Sequence, residues 1–171
     1  SAGIINIVTR SGTNVFQGRA YGFFRDDAFD AKNALAKDKG ALGHRQYGLT
    51  LGGPLVRDRL FAFGNVERTA QDRTGFVTVA TADAAAINGV LDRAGSQGPR
   101  ITPGPYPTGY HTSNVFARID AQGERTRLAL RYSFYDITSP NARNTGGLSD
   151  VTRGQSLAAR DNIVAATWQT S

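Results

Sequence analysis

Few residues in this chain have the type and spacing to do chemistry. His44 and His111 are the only histidines and lie 67 positions apart, too distant in sequence to propose a metal pair. Asp26, Asp27, Asp30 and Asn33 put oxygen ligands in one stretch, but the alternating D-x-D-x-D-G spacing of a calcium loop is missing, so they read as a solvated acidic loop. Gly52-Gly53-Pro54 has no Walker lysine and no following helix, and reads as turn chemistry rather than a phosphate cradle. Ser11, Ser113 and Ser156 have no adjacent base and no G-x-S-x-G elbow. Glu67 and Asp120 would form an acid–base pair only if folding joined them; an ion pair with Arg118 or Arg131 is the simpler expectation. No catalytic residue, metal site or cofactor is expected, and the chain does not read as an enzyme.

Composition narrows the class further. The 171 residues carry 20 Lys+Arg against 14 Asp+Glu, a net charge of +6, with no cysteine. The absence of cysteine removes disulfide scaffolds, Cys-based zinc sites and thiol catalysis together. The arginines alternate along strand-like segments and never form a run, so nucleic acid is not expected as a partner. No apolar run approaches the ~20 residues of a membrane helix. A membrane barrel is compatible with this, because its strands are apolar on one face only. Glycine is 20 of 171, about 12%, against a usual ~7%, which suits strands and turns.

The elements are read from period-two alternation. Residues 3–9 form a β-branched leading strand, followed by a Ser11-Gly12-Thr13-Asn14 turn. In 15–25, Phe16, Gly18, Ala20, Gly22 and Phe24 share one face, while Gln17, Arg19, Tyr21 and Arg25 share the other. Phe16 to Phe24 spans about 26 Å at ~3.3 Å per residue, longer than a typical soluble strand. Residues 26–42 are a polar loop with a short helix closed by Gly40. A hairpin covers 44–68, turning at Gly53-Pro54 and Arg57-Asp58-Arg59. The stretch 70–112 lacks alternation; it holds a strand end at Phe76–Val79, a helix over 82–94 capped near Thr81 or Asp83, and a Gly/Pro-rich loop at 98–109. A second hairpin covers 113–121 and 124–136, a polar loop 137–156, and a last strand about 157–170 with Val164, Ala166 and Trp168 on one side.

Short connections alternate with long ones, the pattern of an antiparallel barrel with tight turns at one rim and long loops at the other. The fold class expected is all-β: up-and-down strands of a transmembrane β-barrel, about six of them plus the leading strand, with short helices in long loops. Phe16, Phe24, Tyr47, Leu128, Leu130, Tyr132, Phe134 and Trp168 are the lipid-facing candidates. Gln17, Arg19, Asn65, Glu67, Arg118, Asp120, Arg127 and Arg131 are the lumen-facing ones. The competing expectation is a soluble β-sandwich binding module for a carbohydrate or protein ligand, using loop aromatics such as Tyr106 and Tyr110.

Particular segments carry a resemblance. Residues 4–14, IINIVTRSGTN, resemble the end of the plug domain of TonB-dependent outer-membrane receptors. FQGRAYGFFRDDAFDAKN resembles the first barrel strand and loop of the Oar-like subgroup, which carries an N-terminal carboxypeptidase-regulatory-like domain; QYGLTLGGPLVRDRLFAFGNVE resembles the next hairpin. Ala62 and Gly64 depart from it, standing where that pattern has aromatics. The resemblance implies a 22-stranded barrel enclosing a plug, of which residues 1–14 would be the plug's end and 15–171 the first part of the barrel, both ends cut from a longer chain without its TonB box. It further implies a Gram-negative outer membrane, lipid and lipopolysaccharide around the wall, TonB as a partner engaged through other parts of the protein, and energised import of a siderophore, cobalamin, glycan or peptide.

Overall fold

The computed structural model describes residues 9–29, 31 and 40–170. The expected leading strand and the helix of the first loop fall largely outside these residues; of that loop, Asp27–Phe29 forms a single 3-10 turn. Six strands form one antiparallel sheet in chain order: β1 Gln17–Asp26, β2 Leu42–Val56, β3 Leu60–Val77, β4 Gly104–Gln122, β5 Thr126–Arg143 and β6 Gln155–Thr170. β1 and β6 are its two edges, and the sheet does not close. Closure needs more strands, since even the smallest such barrels have eight.

Residues 57–59 and 123–125 are the tight turns at one end; 27–41, 78–103 and 144–154 are the long connections at the other. The strands extend further than alternation alone indicated. β3 runs on to Val77 and pairs with β4 down to Val77↔Gly104, so half of the expected Gly/Pro loop is strand. β5 likewise continues to Arg143. The first turn is narrower than expected: Gly53 and Pro54 belong to β2, and a bulge falls between Pro54 and Val56.

Prolines permit these extensions because of where they sit. A strand proline cannot donate a ladder hydrogen bond, so it needs a side with no partner. Pro54 lies past the last β1 pair, Gln17↔Gly52. Pro105 and Pro107 lie past His111↔Thr138, where the β4–β5 ladder ends, and Pro140 lies past it on β5.

The helix, α1 Thr81–Arg93, matches expectation in place but not in cap. Its N-cap is Ala80, with no side-chain hydrogen bond, and Thr81 is already helical. The reason is that Ala80, in extended backbone, already places its carbonyl to accept from Ala84 N at 2.9 Å.

Among the described residues, nothing forms a second layer on the sheet. Phe61, Val77 and Ala84 are the only buried hydrophobic residues among those described, while Leu49, Leu51, Val66, Leu128, Leu130, Val164 and Trp168 stand exposed, Trp168 by 75%. A sandwich would bury those side chains against a facing sheet, so the soluble-sandwich expectation is not met.

Three cross-strand contacts match an aromatic ring to a glycine. The Tyr21 ring covers Gly48, Phe16 covers Gly53, and Tyr106 covers Gly75. Tyr21 and Tyr106 sit directly opposite their glycines in the ladder. A glycine leaves the pleat bare, and a ring from the neighbouring strand restores the lost packing. A Cβ on Gly48 would lie 2.6 Å from Tyr21 Cζ. Gly48→Val is therefore expected to lower the urea-unfolding stability of the full-length protein in detergent by about 1–3 kcal/mol. Combining it with Tyr21→Ala should recover part of that loss; equal losses in the single and double variants would show that the ring contact is not the cause.

Candidate barrel wall and the polar face

Register decides which side chains meet. Successive rows across the sheet read Gln17–Gly52–Phe63–Arg118–Arg131–Ala165, then Arg19–Thr50–Asn65–Phe116–Ser133–Ile163, then Tyr21–Gly48–Glu67–Asn114–Tyr135–Asp161. Asp120 and Arg127 continue the same face toward the tight turns. All eight polar candidates thus share one face. On the opposite face, Phe24, Tyr47, Leu128, Leu130, Tyr132, Phe134 and Trp168 alternate with them, and Phe16 joins that side by packing on Gly53.

The polar face is most organised near the tight turns. The Arg118 guanidinium grips both carboxylate oxygens of Asp120, with Nε at 3.0 and 2.8 Å and Nη2 at 2.7 Å. Its remaining nitrogen, Nη1, donates to the Thr9 carbonyl at 3.0 Å and to Thr9 Oγ1 at 2.6 Å. Arg118 thereby pins the segment leading into β1 against the polar face. Gly12 lies against the backbone at Gly53 and Ala62, an approach that no side chain at position 12 would allow. Ser11 and Gly12 separate two recesses, of about 350 Å³ over Arg118, Asp120, Arg127 and Arg131, and about 400 Å³ over Arg19, Thr50 and Phe63.

Asn14 then fixes the exit of this segment, donating from Nδ2 to Asp58 Oδ1 at 2.5 Å and accepting from Asp58 N at 2.9 Å. Asp58 holds φ 60 in the tight turn. Higher on the face, Tyr21 donates its hydroxyl to Glu67, which also accepts from Gln46 Nε2 at 3.1 Å.

These contacts sort the sequence candidates. Asp120 forms its ion pair with Arg118, whereas Glu67 has a tyrosine and an amide as partners in place of an arginine. Glu67 and Asp120 lie opposite Asn114 and Phe61, six positions apart along β3, and do not meet. His44 and His111 point to opposite faces, and His111 Nε2 lies 3.0 Å from Asp72 Oδ1. Among the described residues, no group of three or more His, Cys, Asp or Glu could hold a metal. Sequence reasoning missed Thr9, Asn14 and Tyr21; the Ser-Gly-Thr-Asn turn was visible, but nothing local revealed its partners 44 and 109 residues away.

The far ends of β3–β5 carry a second built region. Thr78 N donates to the Gly147 carbonyl at 2.7 Å, and Gly147 N donates to Phe76 O at 3.0 Å. Asn88 on α1 brackets Ile101, donating to its carbonyl at 3.0 Å and accepting from its N–H at 2.9 Å. Asp150 joins the two connections, accepting from Thr102 N at 2.7 Å and Thr152 N at 3.0 Å.

One antiparallel up-and-down sheet, apolar on one side and polar on the other, with tight turns at one end and long connections at the other, is a section of an outer-membrane β-barrel wall. The chain belongs to the outer membrane beta barrel domain family, which matches residues 8–116, and the protein is accordingly one of the outer membrane of a Gram-negative bacterium. It is 32% identical over 71 residues to the TonB-dependent transporter Oar of Myxococcus xanthus, a match covering 37% of this chain and 7% of that protein. The chain therefore spans only a small part of the relative. No solved structure matches.

Asp150 gives a pH-dependent expectation. Burial pushes its pKa up, but hydrogen bonds from the Thr152 and Thr102 amides, the Thr152 hydroxyl and the Val151 amide outweigh burial and hold it below the ordinary 3.8. The folded state thus favours the carboxylate. Its stabilising effect is complete above the ordinary value and is lost as pH falls through the folded value. Asp150→Ala should loosen the tie between the two connections by about 1–2 kcal/mol at neutral pH. Amide-exchange protection at Thr102 and Thr152, taken relative to the intrinsic rate at each pH, reads this directly; in the native protein it should fall only in acid, below the ordinary value of 3.8, and in Asp150→Ala already at neutral pH.

Proposed function

We propose that this chain is the wall-and-entry portion of a TonB-dependent outer-membrane transporter of the Oar-like subgroup. In this reading, residues 1–14 end the plug domain and 15–171 begin the barrel. The polar face, with Gln17, Arg19, Asn65, Glu67, Arg118, Asp120, Arg127 and Arg131, looks onto the plug and lumen. The opposite face, with Phe16, Phe24, Tyr47, Leu128, Leu130, Tyr132, Phe134 and Trp168, meets lipid and lipopolysaccharide. A solute, whether siderophore, cobalamin, glycan or peptide, binds from outside at loops and plug. TonB, engaged through other parts of the protein, then remodels the plug to open a path.

The observation that carries this reading is the entry segment. The chain comes to β1 across the polar face, held there by Arg118 on Thr9, before turning at Asn14 into the sheet. A barrel wall with nothing inside has no reason to anchor its leading segment on the lumen side. The second support is the one-layer sheet, whose apolar side chains are left for hydrocarbon to cover.

Two measurements test it. The full-length product should leave isolated outer membranes only with detergent, and the uptake it supports should stop when TonB is removed; uptake independent of TonB would end the transporter reading. Facing is tested separately with two substitutions on β5. Leu130→Arg, on the apolar face, is expected to cost about 2–4 kcal/mol of barrel stability in lipid, and Ser133→Arg, on the polar face, much less. The reverse order would exchange the two faces.

A further inference from the structure

The recess beneath Ser11 and Gly12 is lined by three arginines and a single carboxylate: Arg118, Arg127, Arg131 and Asp120. Asp120 is committed, since all three of its ion-pair contacts go to Arg118. Arg131, directly opposite Arg118 in the ladder, makes one long hydrogen bond, from Nη2 to Thr167 Oγ1 at 3.3 Å. Its Nε is buried and has no partner. Arg127, two rows nearer the turn on the same face, is exposed to the recess. Two positive charges therefore border the cavity without a counter-charge among the described residues. Buried N–H groups are almost always hydrogen-bonded, and an orphaned guanidinium nitrogen is costly.

We propose that Arg127 and Arg131 form a socket for a carboxylate carried by the domain that fills the polar face. Arg127 lies exposed on the recess and Arg131 borders it with hydrogen-bonding capacity left unfilled, and the planar guanidinium group suits a carboxylate's two oxygens. Arg118 does for the entry segment, through Thr9, what this pair does for an acidic side chain of the plug: both fasten the plug to the wall at the tight-turn end. The carboxylate is supplied from outside residues 1–8, because SAGIINIV contains no acid. This inference rests on the proposed plug-and-barrel reading.

The test uses the full-length protein in outer membranes, with Ser11→Cys as a reporter labelled by a maleimide during a urea titration. Replacing Arg127 and Arg131 together by Gln should raise the labelling rate at intermediate urea by roughly tenfold or more, the scale of one charge-assisted hydrogen bond. Molar salt should shrink that difference by screening the native contact. The Lys/Lys variant should label more slowly than Gln/Gln, because it keeps the charges. Heat-modifiable mobility on gels confirms that each variant retains its barrel. Equal labelling of native and Gln/Gln proteins, with barrels intact, overturns the socket. So does a Gln/Gln variant with native labelling but weakened solute binding, which would assign the arginines to the cargo. Failure of the native protein to reach the outer membrane or to show heat-modifiable mobility would instead overturn the plug-and-barrel reading itself.

Discussion

Hydrocarbon offers a backbone no hydrogen-bond partner, and the organisation of this chain follows from that constraint. Every strand must satisfy its N–H and C=O groups on a neighbour, so the chain returns on itself in sequence order and each strand pairs with the next. The pairing of strands also places the prolines. All four strand prolines stand just beyond the end of a ladder on one side, where a missing donor costs nothing. It also explains the glycine–aromatic pairs: the ring fills the gap above a glycine while leaving the ladder between the strands unbroken.

A sheet of this kind does not stabilise itself by a core. Its buried hydrophobic residues number three among those described, and two of them, Val77 at the end of β3 and Ala84 on α1, lie at the end with the long connections. The energy that a soluble domain draws from a dry interior must come from what lies on either side. On the proposed reading, lipid covers one face. On the other, the ordered contacts concentrate where the entry segment touches the wall, at Thr9–Arg118–Asp120 and at Asn14–Asp58. Arg118 is well suited to this position because its planar group serves a carboxylate along one edge and a backbone carbonyl along the other, which an ammonium on a flexible stem does less well.

Much of this was legible in the sequence, and the reason is the strict period of two. A one-residue slip would invert every side chain, so alternation in 15–25, 44–53 and 124–136 fixes both strand and face. What stayed hidden was whatever local pattern underdetermines. The upper part of β4 was obscured by Pro105, Pro107 and Gly109, whose tolerance depends on where the β5 ladder stops, a non-local fact. The helix cap was misplaced because Ala80 is held by backbone geometry, with no side-chain signal to read. Glu67 and Asp120 looked alike as lone acids among arginines. Only register separates them, giving one a guanidinium two positions along its own strand and the other a tyrosine 46 residues away.

Strand length then bears on what the wall does above the membrane. β3, β4 and β5 have 18, 19 and 18 residues. At ~3.3 Å per residue each is about 60 Å long, and at a tilt of ~40° rises about 45 Å, well beyond an apolar band of ~25 Å. The apolar face changes character accordingly. Above Val66, Val115 and Phe134 runs the row Tyr47–Arg68–Ser113–Asp136–Arg160, closed by Arg68 to Ser113 at 2.5 Å and Arg160 to Asp136 at 3.0 Å. In a membrane, charges in such a row are tolerable only where water or headgroups begin, so on the proposed reading this row marks the outer limit of hydrocarbon. Beyond it, the far parts of the strands, α1 and the connections joined by Asp150 are tied together by hydrogen bonds. Tied together in this way, the long connections keep few conformations, which lowers the ordering cost of any contact made there.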